Sequence, residues 1–123
     1  MIPEFRVWVE AEETMHPVLS LDWSGIGDNL TVFVPMGHSS LRAVSIDNAI
    51  LMQSTGLVDI NGQEIFEGDI VRMHSGELLP VKLHHGMFEP VCYCASRAFG
   101  RVGNVFENPE LLEHPDFREA NND

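Results

Sequence analysis

The sequence predicts an all-β fold, β-rich with short helices. A twisted antiparallel sheet should form a small barrel-like body, with one short helix near the C-terminus. Three observations carry this. Apolar and polar residues alternate in run after run, the period of a half-buried strand. Turn-forming residues break those runs at intervals of roughly eight to twelve residues, as in small barrels and sandwiches. A clear helix-start signal stands in "ENPELLEHPDF".

The runs can be followed along the chain. In "FRVWV", Phe5, Val7 and Val9 face one way, and Arg6 and Trp8 the other. "LSLDW" places Leu19, Leu21 and Trp23 together, and "LTVFV" does the same for Leu30, Val32 and Val34. "DIVRMH", "VKLH" and "VCYC" continue the alternation. Between the runs lie "SGIGDN" (24–29), "PMGHSS" (35–40), "HSGELLP" (74–80) and "HHGMFEP" (84–90), each with Gly or Pro where a sheet must turn. In the last signal Asn108 can cap, Pro109 suits the first helical position, and Glu110 complements the dipole. Pro115 disfavours helix at His114. A turn or two of helix is therefore expected, with Leu111 and Leu112 under the sheet. The tail from about 116 to 123 is polar and expected to fray. The predicted core comprises Phe5, Val7, Leu57, Ile65, Ile70, Val71, Val105, Leu111 and Leu112.

At 123 residues the chain suits one domain, 1–123. No apolar run approaches the roughly 20 residues of a membrane helix, and the start lacks a secretory signal. A bacterial cytoplasm is the expected compartment. There Cys92 and Cys94, two residues apart, would stay reduced. Nineteen acids against seven bases give net −12, which argues against direct nucleic-acid binding. The charge is uneven. From Arg72 to Arg101 there are four bases (Arg72, Lys82, Arg97, Arg101) and two acids (Glu77, Glu89), a local +2 that leaves −14 elsewhere. Such asymmetry suits a solvated acidic surface, or an acidic face that docks on the basic segment of another copy.

The densest stretch is "TGLVDINGQEIFEGDI", 55–70. Asp59, Asn61 and Gly62 read as a turn, since Asn and Gly tolerate positive φ and Asp can accept bonds from its own turn backbone. Gly68 and Asp69 turn the chain again before "IVRM". Counted from Asp59 as a calcium loop, Gly falls at the fourth position and Ile70 at the twelfth, so the EF-hand pattern fails. Glu64, Glu67 and Asp69 are weak candidates for an acid/base or metal set. Set against that, Glu64 and Glu67 read as solvated strand-end residues, and Asp69 as the acceptor that orders its turn.

"LMQSTGLVDINGQEIFEGDIV" resembles the signature of the YopX family, small proteins of phages, prophages and related mobile elements. The family's opening "FRxW" strand matches "FRVW" at 5–8, with Met15 soon after. Its closing "GNIYENPELL" matches "GNVFENPELL" at 103–112. Phe66 and Phe106 stand where the family commonly has Tyr. The motif positions are Phe5, Trp8, Gly56, Asp59, Asn61, Gly62, Gly68, Asp69, Asn104, Asn108 and Pro109. The resemblance implies a mainly β fold and a phage or bacterial source, with no established activity.

Other constellations stay below a site. Cys92 and Cys94 share a strand face, but adjacent His84 and His85 would face opposite ways, so buried structural cysteines are favoured over a zinc set. "GHSSL" has Leu41 where a nucleophile elbow needs Gly, and Ser39 and Ser40 read as loop residues. His16, His38 and His114 neighbour Pro, Gly or Ser and read as surface loop residues. Trp8 and Trp23 are expected to pack in the core, because a stacking surface for single strands needs a basic groove. No cofactor, metal or small-molecule substrate is expected. The leading expectation is a non-enzymatic module acting by protein–protein contact or self-association. The alternatives are an enzyme built on Glu64, Glu67 and Asp69, and a nucleic-acid accessory protein that binds DNA or mimics it.

Overall fold

The computed structural model describes residues 4–23, 30–37, 40–91 and 99–113. Strand accounts for 61% and helical turns for 9%, and the sheets are antiparallel with one curled into a half-barrel, which places the chain in the all-β class. The chain forms two compact units, Met1–Gln53 and Ser54–Asp123, and passes from one to the other inside a ten-residue strand.

In the first unit β1 (Phe5–Val9) pairs antiparallel with β2 (Thr14–Pro17), Val9 opposite Thr14. The hairpin closes with Glu12 N–H donating to Val9 O at 3.3 Å and with Glu13 at φ 54°. β3 (Ser20–Asp22), β4 (Thr31–Met36) and β5 (Ser40–Ser45) make a three-stranded sheet with β4 in the middle. A 3-10 turn at Ile46–Asn48 follows, its Asp47 N–H donating to Ser45 Oγ at 3.2 Å. It feeds β6 (Ala49–Val58), whose first half pairs with β1 from Ala49 opposite Val9 to Gln53 opposite Phe5. Val7, Val9, Leu30, Val32, Val34, Val44 and Ala49 form the core here. The β-branched stems of its five valines fill a pleated surface well. Both faces of β1 are covered, since Arg6 and Trp8 are buried as well as Val7 and Val9.

In the second unit the rest of β6 pairs with β7 (Glu64–Phe66), and the register shifts between Ser54 and Val58. Gly56 at φ 78° sits in that irregularity. The hydroxyls of Ser54 and Thr55 accept the N–H groups of Gly56 and Leu57 at 3.0 and 3.1 Å. β8 (Asp69–Met73) lies between β9 (Leu78–Pro80) and β12 (Phe99–Asn104). β10 (Lys82–His84) and β11 (Met87–Glu89) form a hairpin. Ile65, Val71, Val81, Val91 and Phe99 build this unit's core.

Several expectations need correction. Leu57 is 39% exposed, because the irregularity in β6 breaks the strand's alternation and turns it out of the core. Trp23 is 68% exposed just beyond β3, whereas Trp8 packs as expected. Phe5, Val105 and Leu111 are half-buried, while Val7, Ile65, Ile70 and Val71 are fully buried. His16 sits on β2 and shares a 2.8 Å hydrogen bond with Thr14 Oγ1, so it is a strand residue and not a loop residue. His84 and His85 do not point apart. His85 leaves the strand at φ 51°, and the two rings stack 4.0 Å apart. The C-terminal segment Pro109–Glu113 is a five-residue 3-10 turn, with no helix of seven or more residues. Asn108 Oδ1 accepts Asn104 N–H at 3.1 Å, which ties the turn to the end of β12. Cys92, Cys94, Arg97, His38, Ser39, His114, the 24–29 loop, the 116–123 tail and the Leu112 side chain lie outside the described residues.

Candidate functional site

The glycine–carboxylate stretch folds into two clasps. Asp59 is fully buried. Its Oδ1 accepts the N–H groups of Asn61 and Gln63, each at 2.9 Å, and its Oδ2 accepts Arg101 N–H from β12 at 2.9 Å. The turn closes by Asp59 N–H to Gln63 O at 2.9 Å and Gly62 N–H to Asp59 O at 3.0 Å, with Gly62 at φ 80°. Burial by itself would raise the Asp59 pKa. The three N–H groups and the nearby Arg101 charge outweigh it and hold the carboxyl below its ordinary range.

Asp69 is also fully buried. Its Oδ2 accepts Phe66 N–H at 2.8 Å, and its Oδ1 accepts the Nε–H of Arg101 at 3.0 Å. Arg101 is therefore pinned twice, by its backbone to Asp59 and by its side chain to Asp69. Gly68 anchors the same turn, donating to Val81 O and accepting from Val105 N–H, both at 2.9 Å.

The other two members of the acidic trio differ from Asp69, and Glu67, like Glu64, is half-buried rather than solvated. Glu64 Oε2 accepts the Ser54 hydroxyl at 2.5 Å. The structure thus gives Glu64 and Asp69 separate partners. Among the described residues no three His, Cys, Asp or Glu side chains gather into a metal-holding group.

The closing motif makes a third clasp. Asn104 is buried, and its Oδ1 accepts Phe106 and Glu107 N–H groups at 2.9 and 2.7 Å while its Nδ2 donates to Glu107 Oε1 at 2.8 Å. At Gly103 a Cβ would stand 2.5 Å from Asn108 Oδ1, so only glycine leaves room for that side chain.

What these clasps leave facing outward is a cleft of about 360 Å³. The turn after Asp59 forms one wall, with Ile60 and Asn61. Arg72, Met73 and His74 of β8 and its following turn, and Phe99 to Val102 of β12, form the rest. Ile60 is 66% exposed. Val102 is 41% exposed because the register shift between Arg101 and Gly103 turns it outward. Among the described residues no Asp or Glu lines the cleft, while Arg72, His74 and Arg101 do. Arg72 donates from Nη1 to Gly76 O at 2.9 Å. The sequence hinted at this site only through the local positive balance of the 72–101 segment. The residues involved are separated by up to 42 positions, and no local spacing unites them.

Comparison with known proteins follows the same outline. The YopX protein family model matches residues 4–113, and the chain belongs to that family. Two solved structures share the fold. Protein EF1440 from Enterococcus faecalis is 28% identical with a TM-score of 0.60, over 91% of this chain and 99% of that one. Protein yopX from Bacillus subtilis is 25% identical with a TM-score of 0.59, over 89% of this chain and 97% of that one. No curated protein matches the chain.

Proposed function

We propose that this YopX-family chain is a phage, prophage or mobile-element protein of the bacterial cytoplasm that works by protein–protein contact and not by catalysis. One observation carries the reading: the buried carboxylates of the signature are consumed in holding the fold. Asp59 spends both oxygens on three backbone N–H groups, and Asp69 spends its own on Phe66 and Arg101. A general acid or base must exchange a proton with a substrate in reach. These two are fully buried and already hydrogen-bonded.

The test has two arms. Light scattering over a concentration series, with affinity capture from bacteria that carry the source element, should reveal self-association or a stoichiometric partner. A strict monomer with no partner would overturn the reading. So would a divalent-metal-dependent rise in Tm that vanishes in Asp69→Asn, because that outcome would give the carboxylates chemical work.

A further inference from the structure

We propose that the cleft lined by Ile60, Arg72, His74, Phe99, Arg101 and Val102 binds an acidic peptide segment of a partner protein, one that carries an apolar side chain beside its carboxylates. The proposal rests on the interaction reading above and names the surface and the chemistry of the contact.

The argument starts from charge. In a chain of net −12 the described residues that line the cleft include two arginines and a histidine and no acid. Complementary charge at close range fixes register and suppresses wrong partners. It then turns to preorganisation. A guanidinium carries five N–H donors in a rigid fork. Asp69 takes the Nε–H of Arg101, and Asp59 holds the same residue's backbone. The fork is set before a ligand arrives, so little side-chain entropy remains to be lost on binding. A carboxylate is the planar two-oxygen group that such a fork accepts.

The apolar side of the site decides the ligand's size. Ile60 and Val102 stand exposed at the cleft, and Phe99 is buried within its wall. Exposed apolar surface beside fixed polar donors is the composition of a recognition site rather than of a solvated turn. A free inorganic anion would leave that surface wet. A peptide with an apolar residue next to Asp or Glu covers both halves.

The test is to pan a random-peptide library displayed on phage against the intact chain. Enriched sequences are then measured as fluorescein-labelled synthetic peptides by anisotropy. The expected result is enrichment of Asp or Glu beside an apolar residue. Affinity should fall several-fold as salt rises from about 50 to about 300 mM, since screening weakens partly exposed charge pairs. Val102→Glu and Arg72→Gln should each weaken binding about tenfold, the loss of one desolvated contact. Both positions are surface sites, and circular dichroism checks that the variants keep their fold. Arg101 is left unmutated, because its loss would strand buried Asp69.

Enriched peptides without acids, binding untouched by both substitutions, or no enrichment at all would each overturn the proposal. The interaction reading would still stand if peptides bound elsewhere on the chain. Self-association of the chain that Val102→Glu abolishes would likewise overturn the peptide assignment, by making a second copy the occupant.

Discussion

The two compact units solve the same problem with different materials. The core of the first is aliphatic: Val7, Val9, Leu30, Val32, Val34, Val44 and Ala49. The second has a comparable apolar core in Ile65, Val71, Val81, Val91 and Phe99, but it also encloses Asp59, Asp69 and Asn104. Those three side chains accept or donate bonds that no strand ladder supplies, at turns where the backbone has left its sheet partners. The lesson is about loops. The first unit, whose strands pair along most of their length, is closed mainly by apolar burial, with Arg6 its buried charged side chain among the described residues. A unit whose short strands are joined by buried turns must carry polar side chains inward to satisfy the turn backbone.

The sharpest way to break this contrast is Asp59→Ala. It removes the acceptor of three backbone N–H groups inside the protein. At roughly 1–3 kcal/mol for each stranded donor, the expected loss is about 4 kcal/mol, read from urea denaturation. The charge matters as well as the shape. The folded Asp59 pKa lies below its unfolded value, so its contribution is fully present above the ordinary carboxylate range. It is lost as pH falls through the depressed folded value. Wild-type stability should therefore decline on the acid side of that range, and Asp59→Asn should flatten the decline. An acid-side slope unchanged in Asp59→Asn would show that other groups govern it.

Next in size is the apolar term, which the comparison holds to be shared by both units. Ile65 and Val32 are each fully buried, one in each core. Ile65→Ala should cost about 3 kcal/mol and Val32→Ala about 2 kcal/mol, scaled to the methyl groups removed. Neither change should alter the acid-side slope. A pH-dependent loss in Val32→Ala would sink the distinction between the units.

Gly62→Val is a smaller and cleaner perturbation of the second unit's turn. Nothing lies within 4 Å of a Cβ built there, so the cost is backbone strain alone at φ 80°. It should come to about 2 kcal/mol, because a β-branched residue resists positive φ. Equal Tm values for the two proteins would mean that the turn relaxes without penalty.

The strand pattern was readable because period-two alternation is local. It puts Val7 with Val9, and Leu30 with Val32 and Val34, on shared faces, and all five are buried, as are Ile65, Ile70 and Val71 of the predicted core. It failed at Leu57, where two hydroxyl side chains and a positive-φ glycine interrupt the strand. It failed at Trp23, since alternation says which residues share a face and not whether anything covers that face. The turn at Asp59–Gln63 was visible in its residue types. The bond from Arg101 to Asp59 was not, because it joins positions 42 apart. The cleft inherits the same limit. Its three walls come from distant segments, and Val102 faces outward only because β12 slips its register. Sequence carried the charge of that region but not its shape.

The smallest expected effect tests the aliphatic unit from its surface. Arg42 on β5 forms a two-bond ion pair with Glu12 of the β1–β2 hairpin, joining two elements 30 residues apart. The guanidinium holds the Glu12 carboxyl below its usual range, mainly through the direct hydrogen bond. The partners are nonetheless solvent-accessible, and water and salt screen such a pair while two long side chains lose rotamer freedom. If burial of valines is what holds this unit, Arg42→Gln should leave Tm within experimental error at physiological salt. It should also leave Tm independent of salt relative to the wild type. A clear drop in Tm, growing as salt is lowered, would show that the hairpin depends on that pair. The first unit would then rest on polar fastening as the second does.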